Sequence, residues 1–269
     1  MAYIYHYTSL HNFVSMISNN QLRLVRLDKF ISRYEINYFP KELSNEEPLK
    51  KRFEDIFISS WTRNAELSIA YWKLYSNLST GIRIRINAEE IFEDDLQIPI
   101  TEFETEGLIH SGTSFRIKKS DKKLYLKNIE CVNQTELKKL FLQDIFDLPR
   151  EEWEGFKRMQ NNIFNLSLNN LFCEDEIRLQ LEFNRIPEPS NKNAQREYSF
   201  GLTHDDDIFS VLVKVPENFF YNANIIVSPD FSNENLALLK SFIEGKNINL
   251  ETSNELPKSR SYLCSLKSI

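Results

Sequence analysis

A strict alternation of isoleucine and arginine at residues 81–86 is the feature that most constrains the fold of this chain. Successive side chains of a strand point to opposite faces, so the pattern predicts a strand with isoleucine on one face and arginine on the other. A second alternating segment, at residues 177–183, predicts another strand. Shorter apolar or β-branched segments predict strands at residues 3–7, 22–25, 57–61, 97–130, 209–215 and 225–229.

Helical periodicity of apolar residues predicts helices at residues 10–19, 65–76, 135–172 and 233–244. Thr8 and Ser9 can cap the first of these helices, and a short polar tail follows the last. Because the strands are short and rarely alternate with helices, we expect an α+β fold with mainly antiparallel or mixed sheets. A single domain spanning residues 1–269 is expected, with a helical insertion at about residues 135–172.

Composition argues against several classes of protein. The 269 residues include only 6 Gly and contain neither GxGxxG nor GxxxxGKS, so the usual dinucleotide and P-loop signatures are absent from the sequence. A net charge of -6 disfavours a protein whose whole surface binds nucleic acid. Cys131, Cys173 and Cys264 give no metal-type spacing. With no long apolar run and no signal-like start, we expect a cytoplasmic protein.

Three local features could carry chemistry, and each has a structural alternative. His6, at the end of the first predicted strand, could hold a ribose hydroxyl or could be a core histidine. The aromatic helix with Tyr71, Trp72 and Tyr75 could hold a flat cationic ring or could pack a sheet.

The third feature is an acidic cluster that leads into a predicted strand. Glu174, Asp175 and Glu176 precede the alternating segment, and Glu174 and Glu176 share a strand face with Arg178. Clustered carboxylates favour a perturbed pKa and a catalytic role, but Arg178 could equally make a structural ion pair with one of them.

Taken in order, these features resemble the His-Tyr-Glu type of the ADP-ribosyltransferase superfamily, which includes diphtheria-like toxins and the poly-ADP-ribose polymerases. Residues 5–8 are similar to the first motif of that family, and residues 68–71 to its Ser-x-x-Tyr. Residues 57–86 resemble its middle unit of strand, aromatic helix and strand, and Glu176 falls where its catalytic glutamate is expected. The resemblance implies an ADP-ribosyltransferase-like split antiparallel or mixed sheet with flanking helices.

A closer similarity is to a widespread bacterial family of unknown function whose members open with Tyr-His-Tyr-Thr-Ser. Here that opening and its helix are residues 5–24, and the Trp-x-x-Tyr helix is represented by Trp72 and Tyr75. A Glu-x-Arg strand at residues 176–178 and an Ile-Ile-Val-x-Pro strand at residues 225–229 complete the match. This resemblance covers most of the chain.

The superfamily resemblance implies NAD as substrate and no metal. His6 would bind the ribose on the adenosine side, and the backbone at Tyr7 would hold the nicotinamide amide. Tyr71, with Trp72 beside it, would stack on the nicotinamide ring, although the motif also fits Tyr75. Glu176 would bind the 2′-hydroxyl of the nicotinamide ribose and stabilise the oxocarbenium-like charge.

The remaining expected contacts also come from that resemblance. Thr8 and Ser60 complete the cofactor-binding set, and Arg26 or Arg63 would hold the pyrophosphate, because arginine forks match phosphate oxygens. Glu174 would orient the acceptor together with Arg178.

The acceptor of ADP-ribose is expected to be a macromolecule. The resemblance implies a toxin or antiphage effector, with an antitoxin or chaperone as its partner. Two groups of basic residues favour RNA or DNA slightly over protein as the acceptor. Arg83 and Arg85 share one strand face, and a separate basic segment contains Lys118, Lys119, Lys122, Lys123 and Lys127.

Other functions stay open on the sequence alone. An NAD glycohydrolase would use the same residues without an acceptor, and an inactive NAD-binding or ADP-ribose-binding module would not depend on Glu176. A metal-dependent nuclease could use His204 and the acids at residues 205–207, although three consecutive acids on a turn cannot all face one ion.

Overall fold

A computed structural model describes residues 3–30, 55–67, 69–92, 97–108, 115–119, 122–132, 166–168, 175–183 and 207–251. The chain groups into two compact units. The first contains Met1–Gln21, Trp61–Glu93 and Val215–Ile269, and the second contains Leu22–Ser60 and Asp94–Lys214.

The described strands, in chain order, are β1 (Tyr3–Ser9), β2 (Gln21–Arg26), β3 (Ile56–Thr62), β4 (Gly81–Asn87), β5 (Gln97–Pro99), β6 (Glu102–Leu108), β7 (Phe115–Lys119), β8 (Lys123–Asn128), β9 (Glu130–Val132), β10 (Leu166–Leu168), β11 (Glu176–Glu182), β12 (Asp207–Lys214), β13 (Ala223–Val227) and β14 (Ile248–Glu251). The described helices are α1 (Leu10–Asn19), α2 (Leu27–Phe30), α3 (Ile69–Tyr75), α4 (Ala88–Ile91) and α5 (Asn233–Ile243), with a short 3-10 helix at Glu217–Phe220.

The first unit is built on the alternating strand β4. This strand pairs antiparallel with β1 on one side and with β13 on the other, and β13 pairs parallel with β14. Ile82, Ile84 and Ile86 are buried, as the alternation predicts. The predicted polar tail after the last helix is wrong at Ile248–Glu251, which form β14. This strand is held by hydrogen bonds to β13, and a pairing between separate segments leaves no local pattern in the sequence.

The helix α1 confirms the predicted cap and end point. Ser9 is the N-cap, and its side chain accepts a hydrogen bond from the backbone N–H of Asn12. Asn20 ends the helix in the left-handed conformation, with a φ of 51°. Its side-chain amide then donates to the carbonyl oxygen of Val215 at 2.7 Å. The cap residues thus set both the length of α1 and the direction of the chain after it.

The second unit also contains mainly antiparallel strands. Its strand order is β3, β2, β12, β6 and β7, and β3 also pairs with β11, which leads to β8 and β5. Phe57, Phe103 and Phe183 pack edge to face in its core, with Phe57–Phe183 ring centroids 5.4 Å apart. The buried alternation of β11 matches the strand predicted at residues 177–183.

The predicted helical insertion is wrong at Leu166–Leu168. These residues form β10, which pairs parallel with β9 and carries a Leu-Ser-Leu alternation. Pairing with a strand more than thirty residues earlier in the chain decided the conformation, since so short a segment has no decisive period of its own. The rest of residues 135–172 lies outside the described residues.

These strands and few short helices make the protein a mixed α/β structure consistent with the predicted α+β class. No helix in the described parts of the chain is long and apolar enough to cross a membrane.

Gly81, the first residue of β4, lies where the backbone leaves no room for a Cβ atom. A Cβ at this residue would lie 2.7 Å from the carbonyl oxygen of Asn77 and 2.8 Å from Cε3 of Trp72. We expect Gly81→Ala to lower the free energy of unfolding by about 1–3 kcal/mol, because backbone and indole must both shift. Urea denaturation measures this.

Ser79→Ala in the same exposed turn is the matched control, with an expected change within about 0.5 kcal/mol. An unchanged free energy of unfolding in Gly81→Ala would contradict the packing described for this turn.

Candidate functional site

Glu176, the first residue of β11, has its carboxylate fixed by two side chains of the second unit. Ser60 Oγ donates to Glu176 Oε1 at 2.8 Å. Arg178 Nε donates to the same oxygen at 3.0 Å, and Arg178 Nη2 donates to Oε2 at 3.3 Å. The Arg178 side chain is 2% exposed and the Glu176 side chain 13% exposed. The carboxylate is therefore held in one position while part of it still meets solvent.

Local sequence explains how this triad of Ser60, Glu176 and Arg178 is assembled. Glu176 and Arg178 are two residues apart on a strand, so their side chains leave the same face. Asp175 has a φ of 59°, a left-handed conformation that Asp tolerates, where the chain enters β11. The ion pair was anticipated as an alternative, whereas the hydrogen bond from Ser60 follows only from the pairing of β3 with β11.

Glu174, predicted to orient the acceptor, lies outside the described residues, as does Ser68 of the Ser-x-x-Tyr motif. For the nuclease alternative, residues 204–206 are outside them too. Residues 60, 176 and 178 belong to the second unit and the aromatic residues to the first, and each group is described by itself.

Arg26, predicted to hold pyrophosphate, is buried in an ion pair. Its Nε donates to Asp28 Oδ1 at 2.6 Å and its Nη2 donates to Asp28 Oδ2 at 3.0 Å. This forked contact uses the edge of the guanidinium that would chelate a phosphate. A phosphate at Arg26 would have to displace Asp28, so the geometry does not favour the predicted role.

His6 and Tyr7 are consecutive residues of β1, so their side chains lie on opposite faces of the sheet. His6 packs against Trp61, with ring centroids 4.8 Å apart. Tyr7 packs against the aromatic helix α3. The next residue, Thr8, is buried on the face that carries His6. The structure thus does not bring the side chains of His6 and Tyr71 together on one face, as the resemblance had implied.

The aromatic residues of α3 form a stacked series with Tyr7. The rings of Tyr7 and Tyr71 are 5.6 Å apart at an interplanar angle of 22°, and those of Tyr71 and Tyr75 are 5.8 Å apart at 23°. Trp72 meets Tyr7 edge to face and is fully buried. Tyr71 is 7% exposed, whereas Tyr75 is 41% exposed. Of the two tyrosines that fit the motif, Tyr75 therefore presents more ring surface to a ligand.

Arg83 was expected on an arginine-bearing surface, and the structure buries it instead, at 5% exposure. Its Cζ lies 4.5 Å from the ring centroid of Tyr5, and its Nη1 donates to the carbonyl oxygen of Ala65 at 2.9 Å. Burying an ion costs several kcal/mol after relaxation. A desolvated cation–π contact returns about 2 kcal/mol and a hydrogen bond to a charged group about 1.5–3 kcal/mol. These contacts roughly offset the cost of burying the charge of Arg83. No carboxylate among the described residues adds to them.

The predicted basic segment is only partly a free surface. Lys122 donates to the carbonyl oxygen of Glu182 at 2.9 Å, and Lys127 lies 5.1 Å from the ring centroid of Tyr125. Arg85 pairs with Glu251 at 2.7 Å. The structure leaves Lys123 exposed. Side chains of residues 115–119 lie outside the described part of the molecule.

Breaking the Glu176–Arg178 pair from one side should be costly. We expect Arg178→Met to lower the free energy of unfolding by about 3 kcal/mol, because it leaves a largely buried carboxylate without its cation. The double variant Glu176→Leu with Arg178→Met should recover most of that loss. Guanidinium denaturation of both single variants and the double variant measures the coupling. Strictly additive losses would mean that the two charges do not stabilise each other.

Comparison with known proteins leaves the candidate site to be judged on its geometry. The chain matches no protein family model, no curated protein and no solved structure.

Proposed function

We propose that the protein is an NAD-dependent mono-ADP-ribosyltransferase in which Glu176 is the catalytic carboxylate. The observation that carries the proposal is the fixed position of this carboxylate between Ser60 and Arg178 at the start of β11. A partly exposed carboxylate that accepts hydrogen bonds from a serine and a buried arginine is a preorganised negative group. Such a group is what a cationic sugar transition state requires.

The proposed reaction breaks the bond between nicotinamide nitrogen and the ribose anomeric carbon. The bonding electron pair leaves with nicotinamide, and positive charge develops on the ribose. Glu176 stabilises that charge and accepts a hydrogen bond from the 2′-hydroxyl. A nucleophilic oxygen or nitrogen of the acceptor then bonds to the anomeric carbon and releases its proton to solvent.

Ser60 and Arg178 are positioning residues in this proposal. Their hydrogen bonds reach both carboxylate oxygens, so Glu176 needs little reorganisation when the charge develops. Arg178 therefore acts on Glu176 in this proposal, and not on the acceptor as the resemblance implied.

Tyr75 is assigned the stacking role, with Tyr71 behind it. The greater exposure of Tyr75 and its stacking on Tyr71 support this choice, since a planar cationic ring binds best on an electron-rich aromatic face. Under the same proposal the backbone of Tyr7 and Thr8 holds the nicotinamide amide. The side chain of His6 lies on the opposite face of the sheet from Tyr7, so no contact with NAD is assigned to it.

For the acceptor we propose a nucleic acid rather than a protein, as in a toxin or antiphage effector. Two lysines of β8 support this choice, since Lys123 is exposed and Lys127 is half-buried on the same strand. The acidic net charge of -6 means that any such contact is local.

The test uses NAD labelled in its adenylate half, incubated with cellular RNA, DNA and protein fractions. We expect label to enter one acceptor class with the native chain and Glu176→Gln to lower the rate by about 100-fold or more, because charge stabilisation is lost. Ser60→Ala should lower the rate by about 10-fold, since one hydrogen bond to the carboxylate is removed.

Glu182→Gln is the matched control, because Glu182 is an exposed carboxylate on the same strand. Equal losses in Glu176→Gln and Glu182→Gln would contradict a specific role for Glu176. Free ADP-ribose without a labelled acceptor would identify a glycohydrolase. NAD binding without turnover by any variant would identify a binding module.

A further inference from the structure

We propose that the guanidinium of Arg83 binds a phosphate-type oxyanion on the β1–β4 face of the first unit, and that this oxyanion is the diphosphate of NAD. The assignment to NAD rests on the proposed function. The binding of an oxyanion does not, and it can be tested with inorganic diphosphate alone.

Ion pairs at four of the described arginines distinguish them from Arg83. Four arginines with described contacts each reach a carboxylate oxygen: Arg23 with Glu106 at 2.7 Å, Arg26 with Asp28 at 2.6 Å, Arg85 with Glu251 at 2.7 Å and Arg178 with Glu176 at 3.0 Å. Arg83 is as deeply buried as Arg26, yet no described carboxylate pairs with it. Among the described residues, only carbonyl dipoles and aromatic faces therefore balance its positive charge.

The hydrogen bonds of Arg83 leave one edge of its guanidinium for a ligand. Nη1 donates to the carbonyl oxygens of Ala65 at 2.9 Å and Glu66 at 3.4 Å. These two bonds fix the orientation of the planar group. Nε and Nη2 have no acceptor among the described residues, and together they form the parallel pair of donors that chelates a phosphate.

Two aromatic rings lie beside the guanidinium of Arg83. Tyr5 covers the guanidinium at 4.5 Å, and Tyr7 lies 5.9 Å away. Trp72, which packs on Tyr7, has a buried indole N–H that finds no acceptor in the described part of the chain. A group that supplies several oxygen acceptors and negative charge suits this environment better than a cation or a neutral donor.

The alternative is that Arg83 only fastens the segment Ala65–Glu66 to β4. An arginine with this structural role would need the hydrogen bonds from Nη1 and the contact with Tyr5. It would not bind an added anion. Ligand-dependent measurements therefore separate the two roles.

The experiment titrates the full chain with inorganic diphosphate and, separately, with NAD, by calorimetry and by the shift in thermal unfolding. We expect both ligands to bind the native chain and Arg83→Gln to weaken both by about 10-fold or more, since one bidentate charged contact is lost. Arg83→Lys keeps the positive charge but loses the planar pair of donors, so its affinity for each ligand should lie between those of the native chain and Arg83→Gln.

Arg85→Gln is the matched control, because it removes a neighbouring arginine that already has a carboxylate partner. It should bind both ligands as the native chain does. Equal diphosphate affinity in Arg83→Gln and the native chain would overturn the proposal.

A measurement on the native chain covers the case in which Arg83→Gln does not fold. The side-chain Nε–H signals of nitrogen-15-labelled arginine are recorded by NMR, and comparison with Arg83→Lys assigns the signal of Arg83. Diphosphate should shift the Nε–H signal of Arg83 and leave that of Arg85 unchanged. An unshifted Arg83 signal at saturating diphosphate would overturn the proposal equally.

The two proposals fail in different ways. Diphosphate binding that depends on Arg83, without any NAD turnover that depends on Glu176, would retain the oxyanion site and remove the transferase. Turnover that depends on Glu176, with an unchanged KM for NAD in Arg83→Gln, would retain the transferase and remove Arg83 from NAD binding.

Discussion

The burial of arginine charge within β-sheets is the constraint on which the other arrangements in this protein depend. A guanidinium taken out of water must recover its hydration energy from hydrogen bonds, carboxylates or aromatic faces. Arg178 recovers it from Glu176, and Arg26 recovers it from Asp28. Arg83 has backbone carbonyls and Tyr5 instead. In each case a charged side chain fixes the position of its neighbours.

This constraint links stability to chemistry at Glu176. The same bonds that compensate the buried Arg178 also hold the carboxylate in one orientation, and Ser60 completes its set of donors. A carboxylate that is already oriented can stabilise developing positive charge without waiting for solvent to rearrange. The cost of arranging the group is met when the protein folds, so it does not recur in each reaction cycle.

The aromatic residues of the first unit follow a different physical rule. Helical spacing places Tyr71 and Tyr75 on neighbouring turns, so their rings can stack, and Tyr7 extends the series from β1. Exposure then separates their roles. A ring buried on the sheet contributes area to the core, whereas the more exposed ring at the end of α3 remains accessible to a planar ligand.

The sequence by itself determined the strands β4 and β11 through their alternation, and with it the shared face of Glu176 and Arg178. It also determined where α1 begins and ends, through the residue types at its caps. Each of these features depends on backbone geometry within a few residues. Tertiary structure decided the pairs that join distant segments: β14 with β13, β10 with β9, and Ser60 with Glu176. It also buried Arg83, for which alternation predicts a strand face but not whether that face is buried. Faces are set locally by the pleat of a strand, whereas what covers a face is set by elements that are remote in sequence.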